Sequence, residues 1–447
     1  MSSLPNATTA AQVKVPLTTN QKRSFWAAWG GWAMDGMDSF IYALVLAPAM
    51  RELLPKSGID PTQANVGYYG AVLFSLFMIG WGIALVWGPI ADKFGRARTL
   101  MFTILWFSVF TFLAAISHSV WALAFYRFMA GIGIGGEWSV GASLVNEAIP
   151  EQRRVRFGGL MHTGYYFGFF IASLANFVIT PLHLNIMGMD VPGWRLMFII
   201  GGLPALLVAY FFNKIHEPEK WKNAKQQLGA KASMGSSFVK AFTHEYRGRT
   251  ILNSIFMLAS ISGLWAGSAY VPTAITYLAN QADRAADAPR LAAIGGAILS
   301  IGTILGAIFS SDLGERFGRR KALGFFYSLM LIFIVGAFGY VYYLPPESNP
   351  LMLFMICTFF LGIGGASFAV YSFWIPEQYR TECRVSAFAF TTNIGRFVGA
   401  GISLALAEGI AYYGSLGVPV AWTAVFFALS IFLLPFGVET KGKGLPT

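Results

Sequence analysis

Apolar residues along this chain come in long blocks separated by short polar breaks. A helix rising 1.5 Å per residue needs about 20 such residues to cross roughly 30 Å of hydrocarbon. Twelve stretches reach that length, at about 24–47, 66–88, 99–117, 120–148, 157–180, 194–213, 250–279, 291–312, 322–344, 351–375, 385–412 and 418–437. They are numbered spans 1 to 12. Spans 4, 7 and 11 are long and glycine-broken, which predicts a tilt or a kink in each. The polar breaks then set the organisation: a tail at 1–23, a six-helix bundle at 24–213, a linker at 214–249, a second six-helix bundle at 250–437 and a tail at 438–447. The predicted fold class is an all-α membrane protein, with twelve transmembrane helices in two pseudo-symmetric bundles.

Composition narrows the class. Of 447 residues 55% are hydrophobic and 12% charged, the latter about half the usual soluble share, and the mean hydropathy is +0.57. So few charges cannot cover a soluble surface, and the same counts exclude a disordered chain, a collagen-like fibre and a small disulfide scaffold. The two cysteines, Cys357 in an apolar run and Cys383 in a charged loop, predict no disulfide. A net charge of +11 raises nucleic acid as a partner until the charges are placed. Most lysines and arginines fall in the first tail, the 2–3, 4–5, 8–9 and 10–11 loops, the linker and the last tail, whereas Arg51, Lys56, Arg195, Arg284 and Arg290 fall on the other side. That bias predicts both termini in the cytoplasm of a multi-pass inner-membrane protein, and accounts for the basic charge without nucleic acid. The first apolar run follows Lys22-Arg23 with no small-residue cleavage site, so the tail reads as retained and not as a signal peptide.

The halves repeat one another. After span 2 stands Gly88-Pro-Ile-Ala-Asp92-Lys-Phe-Gly95-Arg96-Ala-Arg98, and after span 8 Ser311-Asp-Leu-Gly-Glu315-Arg-Phe-Gly318-Arg319-Arg-Lys321. Ile149-Pro-Glu-Gln-Arg-Arg154 after span 4 is matched by Ile375-Pro-Glu-Gln-Tyr-Arg380 after span 10. Related six-helix halves mark a transporter whose substrate site lies between them near the midplane. On these residues the chain resembles the major facilitator superfamily over nearly its whole length. Glu147, seven residues before Arg154, and Val438-Glu-Thr-Lys-Gly442 resemble sugar-porter signatures, although Phe373 stands where a second-half counterpart of Glu147 is expected. The resemblance implies a monomer that alternates between open faces. Gly88, Asp92, Arg96, Glu147, Arg154, Glu315 and Arg319 are gating candidates: charges at helix ends can pair when one face closes and part when it opens. Topology alone would also place them there; the resemblance favours a latch.

A few charges have no topological reason to exist. Span 1 contains Trp29-Gly-Gly-Trp32-Ala-Met-Asp35-Gly-Met-Asp38-Ser39-Phe-Ile-Tyr42, with two carboxylates one turn apart on one helix face. Glu137 lies at a similar depth in span 4. An acid there costs at least about 2.5 kcal/mol, so Asp35, Asp38 and Glu137 are read as proton-coupling candidates facing a wet cavity, or else as structural acids bonded to a neighbouring helix. The Asp-Gly-x-Asp pattern is similar to the first helix of the aromatic-acid and sialate/monocarboxylate proton symporters, which implies coupling roles for Asp35 and Asp38. Arg127 in span 4 and Arg396 in span 11 each need an anion. Arg396 is read as holding a substrate carboxylate and Arg127 as a structural or coupling partner, with Thr392 and Asn393 beside Arg396 as further substrate contacts. Tyr42, Tyr165, Tyr166, Trp265, Tyr270 and Tyr371, with Trp32 and Trp374, are candidate aromatic walls; His162 is a candidate relay. Glycines inside span 4 (Gly131, Gly133, Gly135, Gly136) read as helix packing. No metal cluster, nucleophile elbow or P-loop lysine occurs, so no cofactor, metal, ATP-driven step or enzymatic activity is expected. The reading is a proton-coupled importer of a small organic acid. A sugar or polyol proton symporter, drug or metabolite efflux by proton antiport, and a transporter-like sensor are the rivals.

Overall fold

The computed structural model describes residues 16–179, 183–186, 189–211, 214–228 and 234–446. Span 1 is a single helix, Thr19–Lys56, started by a capping box in which the Thr18 hydroxyl accepts the Gln21 N–H and the Gln21 side chain accepts the Thr18 N–H. Span 2 runs as Gln63–Ile83, a 3-10 turn at Ala84–Val86, and Trp87–Phe94. Spans 3, 4 and 5 are Arg96–Ala114, Val120–Ala148 and Glu151–Ile179, and span 6 is Gly193–Gly201 followed by Pro204–Phe211. In the second half span 7 is Arg247–Ala269 and Val271–Gln281, span 8 Ala288–Phe317, and span 9 Arg319–Ile334 continued by a π segment at Val335–Tyr340. Span 10 is Pro350–Gly365 and Ser367–Trp374, span 11 Arg384–Tyr413, and span 12 Gly417–Trp422 and Ala424–Leu433. Two short helices, Glu219–Leu228 and Met234–Lys240, lie in the linker. An antiparallel hairpin, His183–Ile186 with Met189–Pro192, joins spans 5 and 6 and is a small exception to the all-helical expectation.

Of the three glycine-rich spans, span 7 breaks, at Tyr270 ahead of Pro272, which cannot donate into the preceding turn. Spans 4 and 11 are unbroken helices, so a break is not how their glycines are used. Glycines of spans 4 and 10 bring helices close instead. A Cβ on Gly131 would stand 2.4 Å from the Phe77 carbonyl of span 2, and one on Gly362 of span 10 would stand 2.3 Å from the Leu299 carbonyl of span 8. The 2–4 and 8–10 crossings thus repeat each other. Likewise span 1 packs on span 5 and span 7 on span 11, while spans 2 with 11 and 5 with 8 join the two bundles.

Among the described residues six helices are long and uniformly apolar enough to cross a membrane: those of spans 2, 3, 8, 9, 10 and 12. The first helix of span 6 and its continuation, Gly193–Leu206, are apolar but shorter. Spans 1, 4, 5 and 11 carry buried polar side chains, among them Asp35, Asp38, Glu137, His162 and Arg396. Those helices hold the candidate site.

Both described ends of the chain lie on one face. Arg23 donates to the Lys214 carbonyl, Arg154 to that of Lys443 and Arg384 to that of Pro446. This terminal face also carries the repeated turns. Gly95 (φ +118°) and Gly318 (φ +92°) occupy backbone conformations that a side chain would strain.

Candidate functional site

Gly36, between the two aspartates of span 1, lets that helix approach span 5: a Cβ there would stand 2.1 Å from the Tyr165 carbonyl. Asp35 and Asp38 are thereby held in the protein interior, both fully buried, as is Glu137. Their surroundings differ sharply. Asp38 is paired with Arg127, whose Nη1 donates to both carboxylate oxygens at 3.0 Å, and Thr111 Oγ1 donates to the same group at 2.7 Å. The Arg127 guanidinium lies 4.5 Å from the Phe77 ring centroid and 5.1 Å from that of Tyr42, so it is held on its faces as well as its edge. Among the described residues Asp35 receives one long hydrogen bond, from Ser39 at 3.4 Å, and its second oxygen has no partner. Neither Glu137 oxygen has one; the carboxyl packs against Gly31 and Gly141.

Arg396 lies across from these acids in span 11. Its guanidinium carbon is 3.4 Å from the Trp81 ring centroid, its Nε has no hydrogen-bond partner among the described residues, and Asp35 and Tyr165 are within electrostatic reach. It closes one side of a cavity between the bundles whose other walls are Trp32, Trp81, Trp138, His162, Tyr165, Tyr166 and Phe368. Trp32 and Trp138 stack at 5.3 Å, and His162 stacks on Phe368 at 5.9 Å. The Trp32 indole, a donor only, gives its N–H to His162 Nδ1 at 3.3 Å. The cavity measures about 30 Å³, room for roughly one or two waters and too little for an organic acid. The site is occluded.

The remaining substrate candidates are divided. Tyr165 and Tyr166 line the cavity. Asn393 ties span 11 to span 4 by donating to the Gly135 carbonyl at 3.1 Å, and Thr392 donates back to its own helix at Phe388. Tyr42 donates to the Gly70 carbonyl and is part of the Arg127 enclosure. Tyr371 is buried inside the second bundle, donating to the Phe256 carbonyl and bonded to Tyr327 and Ser260. Tyr270 is half-buried at the break in span 7. The side chain of Trp265 lies outside the described residues. Glu408 is exposed.

On the terminal face the gating candidates Asp92, Arg96, Glu147, Arg154 and Arg319 join a closed charge lattice. Glu147 accepts from Arg96 of its own bundle (Nε 3.0 Å, Nη2 3.2 Å) and from Arg384 of the other (2.6 Å). Glu377 accepts from Arg319 of its own bundle (2.9 Å twice) and from Arg154 of the other (3.1 Å). Each glutamate is thus bound by two arginines, one from either side of the interface. Asp92 bonds Arg96 at 3.1 Å and crosses the interface to accept the Ser386 N–H (2.9 Å) and hydroxyl (2.6 Å) at the start of span 11. Gly88 makes that approach possible, since a Cβ there would meet the Ser386 Cα at 2.6 Å. The starts of spans 3 and 9 are capped alike: Glu217 accepts the N–H groups of Arg96, Ala97 and Arg98, and Glu439 those of Arg319 and Arg320.

Glu315 is exposed and has no ion pair among the described contacts. Its half of the lattice is served by Glu377. That residue, with Arg384, Ser386 and Glu217, escapes a reading of the sequence because the Ile-Pro-Glu-Gln repeat aligns Glu377 with Glu151, which is exposed. The residues acting like Glu147 and Arg154 stand one helical turn later in the second half. Asking which acid could serve Arg319 once Phe373 fills the expected position would have found it.

The sequence model described as Major Facilitator Superfamily matches residues 28–284, and the one described as Sugar (and other) transporter matches residues 227–446. The chain is 29% identical over 424 residues to a probable 4-methylmuconolactone transporter of Cupriavidus pinatubonensis, spanning 94% of this chain and 91% of that protein. It is 27% identical over 425 residues to the sialic acid transporter NanX of Escherichia coli, spanning 94% and 95%. The proton:xylose symporter XylE of E. coli, solved with 6-bromo-6-deoxy-D-glucose, superposes with a TM-score of 0.76 over 96% of this chain and 98% of that one, at 16% identity. With a match over more than half its length and two bundles related by the repeated turn, this chain belongs to the major facilitator superfamily of membrane transporters.

Proposed function

We propose that the protein is a proton-coupled symporter that imports a small organic acid across the inner membrane by alternating access, with the terminal face in the cytoplasm. One observation carries the reading. The cavity between the bundles is lined by a buried guanidinium, Arg396, whose Nε has no hydrogen-bond partner among the described residues; Asp35 lies within its electrostatic reach and Glu137 within that of Asp35, both without counter-ion hydrogen bonds. A neutral ligand has no need of a desolvated guanidinium, whereas a substrate carboxylate pairs with its fork. An unpaired carboxylate in a dry interior is costly enough that the group takes a proton when the cavity closes and releases it when water returns. The Asp38–Arg127 pair links spans 1 and 4 beside this site. A monoanion moving with one proton crosses without net charge. Relatives named for sialic acid and for 4-methylmuconolactone support the organic-acid class.

The match of residues 227–446 to the sugar-transporter model favours a second reading, a sugar or polyol proton symporter. Uptake of labelled sialic acid, an aromatic acid and a hexose into proteoliposomes, with and without an inward proton gradient, separates the two. Acid uptake accelerated by the gradient is expected. Saturable hexose uptake with no response to acids overturns the first reading.

A further inference from the structure

Outside the transport path, spans 2 and 3 and the linker helix Glu219–Leu228 enclose a groove of about 1250 Å³ on the terminal side of the first bundle. Its lower wall is apolar and outward-facing: Phe94 and Phe102 are each 49% exposed and Leu105 41%. Its upper rim is basic. Arg98 is exposed and its guanidinium has no protein partner among the described residues. Lys225 lies 4.7 Å over the Trp221 ring, and Lys222 has only a solvent-exposed pair with Glu219, the kind of pair that contributes little. The acid in the wall, Glu217, is already engaged by three backbone N–H groups at the start of span 3.

We infer that this groove binds an anionic phospholipid, its phosphate on Arg98, Lys222 and Lys225 and its acyl chains along Phe94, Phe102 and Leu105. The match is one of chemistry and depth. A basic rim directly above an outward apolar wall, at the level where the helices leave the hydrocarbon, complements a lipid with a charged head and not a soluble peptide or nucleotide. The corresponding groove beside span 9 lacks the feature: it is about 500 Å³, and there Arg316 is accompanied by Asp312. The floor of the groove is joined to the latch, since Trp221 donates to the Asp92 carbonyl at 2.9 Å. A bound lipid therefore holds the linker helix against the turn that closes the terminal face.

Native mass spectrometry of the full chain, equilibrated with phosphatidylglycerol and phosphatidylcholine of identical acyl chains, tests this. The wild type should retain phosphatidylglycerol preferentially. The triple variant Arg98→Gln/Lys222→Gln/Lys225→Gln should lose that preference by on the order of 100-fold, while Arg316→Gln keeps it. All four side chains are exposed or half-exposed, and an unchanged melting temperature checks that the variants fold. A wild type with no preference, or a triple variant that keeps it, overturns the assignment.

Discussion

Two arginines buried at similar depth behave differently here, and the difference lies in their neighbours. Arg127 has its anion within the protein, at 3.0 Å, and aromatic rings on its faces. Arg396 has Trp81 on one face and a cavity on another. A charge-assisted hydrogen bond contributes about 1.5–3 kcal/mol, so Arg396→Ala should raise the KM for acid uptake by roughly 10- to 100-fold or abolish transport. Arg396→Lys keeps the charge but loses the bidentate fork, and should fall between. Kinetics of labelled acid uptake read this directly, and normal affinity in the alanine variant would remove Arg396 from the site. Both arginines were visible in the sequence as charges without a topological reason. Which of them was already satisfied was not, because Asp38 and Arg127 are 89 residues apart and their pairing depends on how spans 1 and 4 cross.

Helices are held at their ends by carboxylates, and one such end has a measurable pH signature. Beyond the apolar part of span 1, Glu52 accepts from Arg195 (2.8 Å), Lys56 (2.7 Å) and Trp194 (2.7 Å), while Arg195 also donates to the Ala115 and Ser117 carbonyls. Partial burial alone would raise the pKa of Glu52. The hydrogen bonds from Arg195, Lys56 and Trp194 outweigh it and bring the group from 4.5 down to about 2. A carboxyl depressed on folding contributes stability that is complete above its unfolded pKa and disappears as pH falls through the folded one. The melting-temperature gap between wild type and Glu52→Gln should thus be constant near neutrality and shrink from about pH 4.5 toward pH 2. A gap independent of pH would show that the tie between spans 1 and 6 does not rest on this charge. At the other face, Glu439 is likewise held below the usual range: its partial burial is outweighed by the N–H groups of Arg319, Lys441 and Arg320.

Closure of the terminal face depends on both bundles at once. Glu147 and Glu377 are each shared between bundles, and removing one partner from a buried ion pair costs roughly 3–5 kcal/mol because the other charges are left desolvated. Glu147→Gln leaves Arg384 without a carboxylate and Arg96 with Asp92 alone, and should shift the molecule toward opening on this face. Cys383 provides a native reporter. It is fully buried beside Arg384, and burial, with the nearby charge of Asp92, pushes its thiol up to about 12, so at neutral pH it is shielded and protonated. In a Cys357→Ser background, maleimide labelling of Cys383 should be slow in the otherwise wild-type protein and at least about 10-fold faster in Glu147→Gln, since 1.4 kcal/mol of shift already gives that factor. Equal rates would mean that the lattice does not hold the face shut.

Periodicity and composition are local quantities, and they were enough for the local conclusions. Apolar run length set the twelve spans, the lysines and arginines gathered at the tails and alternate loops, and the repeated turn, Asp92-Lys-Phe-Gly95-Arg96 and Glu315-Arg-Phe-Gly318-Arg319, related the halves. Scarcity of charge made Asp35, Asp38, Arg127, Glu137 and Arg396 conspicuous. Partnership is not local. Asp38 is satisfied and Asp35 is not, though they stand one turn apart. Tyr371 looked like a cavity wall and is locked inside its bundle by Tyr327 and Ser260, because helix rotation, which hydropathy does not encode in a helix apolar all round, decides where a ring points. Glu377 replaces the expected acid one turn further along, since a latch needs a carboxylate within hydrogen-bond distance of two guanidiniums, here 2.9 and 3.1 Å, and not at a particular register. Only the packing of spans 2 on 11 and 5 on 8 brings those charges together, because the energy of a buried ion pair depends on distance through space.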